Sequence, residues 1–283
     1  MSGKNKIWSS ELVAKVIDDI EMGRDTDTSC FWKGNQLYRN SHINFELTKE
    51  ELKEFAKCSQ DVVYFADKYC FAMTDDGIAN INLRDYQKDM LTDFQLNRFL
   101  VLLSCRQAGK TVTSGIFLAW YLCFHYDRNL LIVANKQSTA IEIVSKIKSV
   151  LENLPFFIKP GVENGGELGL RFDNGCRLFS QATTKTAAIG YTIHLLYADE
   201  FAHIQDSFLV PFYRSIYPTL SASKISKIII SSTPNGRNLF HQIYTKAVSG
   251  ENSYTPIRVD WWQVPGRDEQ WRENEIANLG SVD

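Results

Sequence analysis

The segment 104–111, with the sequence SCRQAGKT, constrains the fold of this chain more than any other feature. It follows a continuous apolar run at 99–103, which predicts a strand that is buried on both faces. A strongly apolar segment follows and predicts a helix from Lys110 to about His125. A turn between such a strand and such a helix points backbone N–H groups and the helix N-terminus at a bound phosphate. The segment therefore predicts a phosphate-binding loop in an α/β fold.

The residues of this loop have distinct expected roles. Lys110 is expected to neutralise the β- and γ-phosphates of ATP, and the Thr111 hydroxyl to ligate Mg²⁺. The other residues expected to bind the nucleotide are Ser104, Cys105, Arg106, Gln107, Ala108 and Gly109. Ser104 replaces the glycine that opens this motif, which is acceptable where its φ is negative. Two roles stay open for Arg106: a catalytic contact with the γ-phosphate of the same chain's nucleotide, or a salt bridge that fixes the loop.

Buried strands alternate with helices along most of the chain. Apolar runs predict further strands at 130–134, 194–198, 227–231 and 257–261, and helices are predicted at about 10–22, 84–96, 138–153 and 239–248. This alternation predicts a mainly parallel sheet flanked by helices. Residues 161–180 alternate weakly and suggest a hairpin. We expect a helical and irregular lead-in at 1–58, an ATPase core at 59–264 and the start of a small helical lid or linker at 265–283.

Two acidic residues, Asp199 and Glu200, follow the predicted strand at 194–198. Ligands of open α/β sheets bind at the carboxyl ends of the strands. We expect Asp199 to hold Mg²⁺ through water and Glu200 to orient and deprotonate the attacking water. Taken alone, two acids at a strand end are more often simply solvated, but the phosphate loop favours the functional interpretation. A separate strand lies between the two motifs in sequence, which is typical of the additional-strand, catalytic-glutamate branch of P-loop ATPases.

Two further motifs have both a functional and an ordinary structural interpretation. Tyr86 and Gln87 lie upstream of the loop, where a ring can stack on adenine and an amide can pair with its edge. The alternative is plain helix surface. Ser231, Ser232 and Thr233 follow a predicted strand, and their hydroxyls could sense the γ-phosphate and relay its loss. The alternative is a strand-end turn.

Composition limits the classes of protein to which the chain can belong. The 31 Lys+Arg and 33 Asp+Glu residues give a net charge of −2, which excludes a surface coated in basic charge but allows a local basic groove. The longest central stretch without charge, at 111–126, has 16 residues, fewer than the roughly 20 that cross a bilayer. The N-terminus lacks the pattern of a signal peptide. The six cysteines and five histidines show no metal-binding spacing, so reduced thiols are expected.

Together these motifs resemble the ATPase half of the large terminase subunit of T4-like tailed bacteriophages. The resemblance also rests on DVVYFA at 61–66 and STPNG at 232–236, and it covers roughly residues 59–280. It implies a motor that hydrolyses MgATP to translocate double-stranded DNA into a prohead. By this resemblance Arg106 is similar to the in-loop arginine of the family, Tyr86 and Gln87 to its adenine motif, and 231–233 to its coupling motif.

The resemblance also implies partners and a location. The expected partners are double-stranded DNA, the portal and prohead, the small terminase subunit, and further copies of the chain in a homo-oligomeric ring, with a monomer as the alternative in isolation. The expected location is the host cell cytoplasm, transiently at the portal vertex, without secretion or a membrane.

The sequence departs from the family pattern in two places. Ile189-Gly190 replaces an Arg-Gly pair, which does not support an arginine acting across a subunit boundary there. The C-terminal nuclease has no room in 283 residues, so nuclease activity is not expected.

Two other functions share these motifs. A helicase-like, nucleic-acid-dependent ATPase also carries a Tyr-Gln pair, a phosphate loop and an Asp-Glu pair. Such an enzyme needs a second ATPase-like domain, and no second such unit fits in this chain. The other alternative is a regulatory nucleotide-binding module without turnover, against which Glu200 argues.

Overall fold

The computed structural model describes residues 6–74, 77–183 and 192–279; Ile189, Gly190 and the end of the chain from Gly280 lie outside these ranges. The helices in this part of the chain are α1 (Ser10–Glu21), α2 (Lys49–Gln60), α3 (Val62–Tyr69), α4 (Asp85–Leu96), α5 (Lys110–Phe124), α6 (Gln137–Asn153), α7 (Asp206–Ala222), α8 (Leu239–Val248) and α9 (Glu269–Leu279). The strands are β1 (Ile7–Trp8), β2 (Phe31–Trp32), β3 (Asn35–Arg39), β4 (Asn44–Phe45), β5 (Phe71–Thr74), β6 (Gly77–Asn80), β7 (Phe99–Ser104), β8 (Asn129–Ala134), β9 (Val162–Gly166), β10 (Gly169–Phe172), β11 (Arg177–Ala182), β12 (Leu195–Ala198), β13 (Lys227–Ser232) and β14 (Thr255–Val259). None of these helices is both long enough and apolar enough to cross a membrane.

The central sheet has the strand order β14-β7-β13-β12-β8-β11-β10-β9. Neighbours from β14 to β11 are parallel, whereas β10 and β9 extend the sheet in antiparallel pairing. The predicted mainly parallel sheet flanked by helices is therefore confirmed. The weakly alternating segment at 161–180 forms β9, β10 and the start of β11. The last predicted strand was placed two residues too late, because residues 261–263 form a 3₁₀ turn after β14.

Strand β13 lies between β7, which leads into the phosphate loop, and β12, which leads into the two acids. Ile230 is paired with Val101 of β7 on one side and with Ala198 of β12 on the other. The carboxyl ends of the three strands therefore meet at one edge of the sheet. Strand β8 lies between the two motifs in sequence, but in the sheet it is on the far side of β12. The additional strand between the phosphate-loop strand and the strand before the two acids is therefore β13, which carries Ser231 and Ser232. We call β13 the inserted strand.

Apolar side chains cover both faces of the sheet, which explains the continuous apolar runs of its central strands. Successive residues of a strand point to opposite faces. Leu100 and Leu102 of β7 join the core on the α5 and α6 side, whereas Phe99 and Val101 join the core on the α7 and α8 side. Helix α7 was not predicted, because it contains two prolines, which normally interrupt a helix. Its apolar residues pack on the sheet at helical spacing: Leu209, Phe212, Ile216 and Leu220.

The lead-in has its own small core, in which Trp8, Val13 and Val16 pack near Phe31 and Phe156. Ser9 caps α1 by accepting a hydrogen bond from the Leu12 N–H. Thr48 and Glu51 form a capping box at the start of α2, in which each side chain accepts a hydrogen bond from the backbone N–H of the other residue. The division of the chain at residues 58 and 264 stays a prediction.

Candidate nucleotide site and catalytic acids

The phosphate loop leaves β7 after Ser104 and enters α5 at Lys110. Gln107 and Gly109 have left-handed backbones, with φ of 60° and 76°. Ser104 is buried at the end of β7, where the backbone is extended and φ is negative. A serine can therefore replace the first glycine of the motif. The loop borders a cavity of about 460 Å³, lined by residues 105–112 together with Glu200, His203 and Thr233. The sequence therefore folds locally as the motif predicts.

Tyr86 and Gln87 lie behind the loop and do not line this cavity. The Tyr86 hydroxyl donates to the Ala108 carbonyl at 3.1 Å, and Gln87 Nε2 donates to Thr113 Oγ1 at 3.1 Å. Gln87 Oε1 accepts from the Arg84 N–H, also at 3.1 Å. Both side chains are buried. They support the loop from the side opposite the cavity. Their contact with adenine stays a prediction.

Lys110 lies between the two predicted acids. Its Nζ is 2.8 Å from Asp199 Oδ1 and 2.6 Å from Glu200 Oε1. Burial disfavours the charge of Lys110, but the two carboxylates outweigh burial and raise the pKa of Lys110 above its usual value. Burial likewise opposes the charge of Glu200, but Lys110 outweighs it and lowers the pKa of Glu200. At neutral pH the Lys110 ammonium therefore lies beside an ionised Glu200 carboxylate.

Asp199 is held by groups from its own strand and from β13. Ser231 Oγ donates to Asp199 Oδ1 at 2.7 Å, and the Tyr197 hydroxyl lies 3.4 Å from the same oxygen. Burial raises the pKa of Tyr197 well above its usual value, so the hydroxyl keeps its proton. This network orients the carboxylate at the end of β12, next to the phosphate loop.

Glu200 is held in an unusual backbone conformation. Its φ of 48° is left-handed, which costs a non-glycine residue roughly 1–2 kcal/mol. Thr233 Oγ1 donates to Glu200 Oε2 at 3.2 Å, and Ser232 Oγ accepts from the Ala202 N–H at 3.0 Å. The predicted coupling residues therefore contact both acids: Ser231 contacts Asp199, and Thr233 contacts Glu200.

The donor set fits Mg²⁺ that arrives with a nucleotide. Among the described residues, no group of three or more His, Cys, Asp or Glu side chains could hold a metal ion. Asp199 offers a carboxylate, and Thr111 borders the cavity with a hydroxyl. Mg²⁺ is commonly bound by one or two carboxylates, with phosphate oxygens and waters completing an octahedron.

Comparison with known proteins decides the family. A family model described as the terminase large subunit, T4likevirus-type, N-terminal, matches residues 101–283. The chain belongs to this family. The resemblance that the motifs predicted is therefore confirmed.

Solved terminases share the fold. The large terminase of bacteriophage HK97 has a TM-score of 0.60 at 18% identity, covering 77% of this chain and 47% of that one. A mutant ATPase domain of the Thermus phage P74-26 large terminase has a TM-score of 0.56 at 18% identity, covering 69% and 88%. A large terminase of a thermophilic bacteriophage, solved with ADP, has a TM-score of 0.53 at 14% identity, covering 69% and 50%. This terminase chain thus spans most of the isolated ATPase domain and about half of the other two proteins.

Two residues that sequence reasoning missed also lie at the site. His203 lines the cavity, and Arg267 reaches the loop from the segment after β14. Arg267 Nη1 donates to the Arg106 carbonyl at 3.0 Å, and Nη2 donates to Gln107 Oε1 at 3.3 Å. Its guanidinium also lies over the Trp271 ring, 4.8 Å from the centroid. Neither residue belongs to a motif, so the sequence offered no signal for them.

Arg106 is exposed at the rim of the cavity, where its carbonyl is the group that Arg267 holds. This contact fixes the backbone of the loop from outside the motif. Both roles considered for the Arg106 side chain stay predictions.

Arg267→Ala is expected to weaken ATP binding about three- to tenfold, because it removes two charge-assisted hydrogen bonds that hold the loop. The measurement is the Kd for ATP by calorimetry. The matched control is Arg272→Ala, since Arg272 pairs with Glu269 in α9. Equal affinities in the two variants would show that Arg267 does not organise the loop.

Gly109→Ala is expected to destabilise the fold by more than the roughly 1–2 kcal/mol that a left-handed backbone costs. An added Cβ would lie 2.5 Å from Gln87 Nε2, which cannot move without losing its bond to Thr113. The control is Gly23→Ala, because Gly23 has a φ of +68° but open space around it. Chemical denaturation measures both free energies of unfolding. Equal losses would exclude a steric role for Gln87.

Proposed function

We propose that this chain is the motor domain of a large terminase, which hydrolyses MgATP to translocate double-stranded DNA into a prohead. The observation that carries the proposal is the position of Lys110 at the phosphate loop, bound to Asp199 and Glu200 together. Ser231 and Thr233 contact the same two acids from the inserted strand end. The lysine that would bind phosphate, the candidate base and the proposed coupling residues are therefore joined by hydrogen bonds.

The loop residues 104–111 would bind the phosphates of ATP, with Lys110 at the β- and γ-phosphates. Thr111 and Asp199 would hold Mg²⁺, which neutralises charge that develops on the phosphates. We also propose Tyr86 and Gln87 as adenine contacts, for which Gln87 would exchange its present hydrogen bonds to Thr113 and the Arg84 N–H for bonds to the base. Arg106 at the rim would stabilise charge on the γ-phosphate.

Glu200 is the candidate general base. Its Oε1 is bound to Lys110 and its Oε2 to Thr233. Phosphate oxygens would compete with Glu200 for the Lys110 ammonium, since both are anionic. When Lys110 turns to phosphate, Oε1 becomes available to orient a water and accept its proton, while Thr233 still holds Oε2.

Coupling would start at Ser231, Ser232 and Thr233, because these residues contact both acids and the turn after Glu200. The Pro-Asn-Gly turn that follows would carry their displacement to α8.

We further propose that the lead-in covers residues 1–58, the ATPase core 59–264 and the start of the lid or linker 265–283. The proposed partners are double-stranded DNA, the portal and prohead, the small terminase subunit and further copies in a ring. The proposed location is the host cytoplasm, transiently at the portal vertex.

The test is phosphate release from MgATP, measured alone, with double-stranded DNA and with DNA plus proheads. We expect turnover that DNA or proheads stimulate. Folded, concentrated protein that releases no phosphate would favour a regulatory nucleotide-binding module. Turnover accompanied by strand separation of a duplex would favour a helicase-like ATPase instead.

A further inference from the structure

The imidazole of His203 lies beside Glu200 in the 3₁₀ turn Phe201–His203, and none of the roles proposed above uses it. Its Nε2 is 2.8 Å from Thr233 Oγ1 and 3.6 Å from Glu200 Oε2. The first distance is that of a hydrogen bond, whereas the second is too long for one. His203 therefore contacts Glu200 through Thr233.

The chemistry of these groups fixes the direction of each hydrogen bond. A threonine hydroxyl has one proton to donate, and an ionised carboxylate can only accept. Because Glu200 Oε1 is bound to the Lys110 ammonium at 2.6 Å, the carboxylate is paired as an anion and accepts at both oxygens, so Thr233 must donate its proton to Glu200 Oε2. The Thr233 oxygen is then the acceptor for His203, whose Nε2 must carry a proton. The order is His203 Nε2–H to Thr233 Oγ1–H to Glu200 Oε2.

The backbone of this turn is tied to the same segment as the side chains. The Ala202 N–H donates to Ser232 Oγ, and the Ala202 carbonyl accepts from Asn235 Nδ2 at 2.9 Å and from Asn238 Nδ2 at 2.8 Å. A left-handed residue such as Glu200 persists only where its surroundings hold it. The end of β13 and the residues that follow it therefore fix the backbone next to Glu200 and, through Thr233, its carboxylate.

We propose that His203 is a positioning residue for ATP hydrolysis, which holds Glu200 Oε2 through the Thr233 hydroxyl and keeps Oε1 turned toward Lys110 and the phosphate loop. The proposal rests on the proposed role of Glu200 as the base. Without His203, the Thr233 hydroxyl loses the donor that orients it, and the carboxylate reaches further rotamers. A base that is misplaced by about 1 Å can cost about 10²-fold in rate. The loop residues that bind phosphate are unchanged.

The kinetic test compares His203→Ala, His203→Gln and the control His241→Ala, which removes an exposed histidine of α8. We expect His203→Ala to lower kcat about 10- to 100-fold and to change the KM for ATP less than about threefold. His203→Gln keeps an N–H donor of similar reach and should recover most of the lost kcat. His241→Ala should match the unsubstituted protein. Thermal unfolding of every variant verifies the fold, and His203→Gln carries the test where His203→Ala does not fold.

Three kinetic outcomes would overturn the proposal. One is a kcat of His203→Ala within about twofold of the unsubstituted value. Another is a loss that falls on KM, and the third is a glutamine variant that is no better than alanine. A Thr233→Val background adds an independent arm, in which His203→Ala should cause no further loss because its route to Glu200 is gone. Losses that multiply in that background would show that His203 acts elsewhere.

The hydrogen-bond order has a readout without turnover. Nitrogen NMR of the histidine side chains should show His203 protonated at Nε2, and Thr233→Val should shift that signal. A neutral Nδ1–H tautomer for His203 would overturn this proposal alone. Absence of ATP hydrolysis by the unsubstituted chain would instead overturn the proposed function, so the two failures are distinguishable.

Discussion

Replacing Glu200 with glutamine is expected to lower kcat for ATP hydrolysis by about 10²- to 10⁴-fold, the usual contribution of a general base. Glutamine has the same size and keeps one acceptor oxygen, for either Lys110 or Thr233, but its amide cannot take a proton at neutral pH. ATP affinity should remain, because the phosphate loop and Lys110 are intact. Single-turnover hydrolysis and calorimetric ATP binding measure the two quantities on the same sample.

The control for this substitution is Glu142→Gln, the same chemical change on an exposed residue of α6. It should hydrolyse ATP at the unsubstituted rate. Unsubstituted turnover by Glu200→Gln would remove Glu200 from the mechanism. A loss of ATP affinity equal to the loss of rate would instead show that Glu200 serves binding.

Lys110→Ala is expected to lower ATP affinity strongly and to destabilise the fold by about 3–5 kcal/mol at pH 7. The substitution removes the cation that binds both Asp199 and Glu200, so two neighbouring carboxylates are left without it in a largely buried site. Calorimetry measures the loss of binding, and chemical denaturation measures the loss of stability.

A second buried lysine separates these two effects. Lys227 is also buried, and its Nζ donates to the Phe94 carbonyl at the end of α4, away from the loop. Lys227→Ala should destabilise the fold but keep the ATP affinity of the folded protein. If Lys110→Ala bound ATP as well as Lys227→Ala does, Lys110 would have no role at the phosphates.

The stability lost in Lys110→Ala should depend on pH in a defined direction. The pKa of Glu200 lies below its usual 4.5 in the folded protein, so the stability that it contributes is complete above 4.5 and is lost as the pH falls through the folded value. The pKa of Lys110 lies above its usual 10.5, so its contribution is lost only as the pH rises beyond that value. The difference from the unsubstituted protein should therefore be largest between about pH 5 and 10 and smaller below pH 4.5.

The sequence by itself determined the local parts of the site. The phosphate loop, the strand that leads into Asp199 and Glu200, and helices such as α5 and α8 lie where their residues predict them. These features depend on neighbours in the chain: a continuous apolar run forms a buried strand, and a glycine allows the left-handed turn before Lys110. Membership of the terminase family followed from the same short motifs.

Only the tertiary structure decided which of these parts meet. The order of strands depends on pairing between distant segments, so the sequence did not show that β13 lies between β7 and β12. Tyr86 and Gln87 face the back of the loop because α4 packs beside α5, which no motif expresses. His203 and Arg267 meet partners 30 and 161 residues away along the chain. A residue type is a local property, whereas the position of its partner depends on how the whole sheet folds.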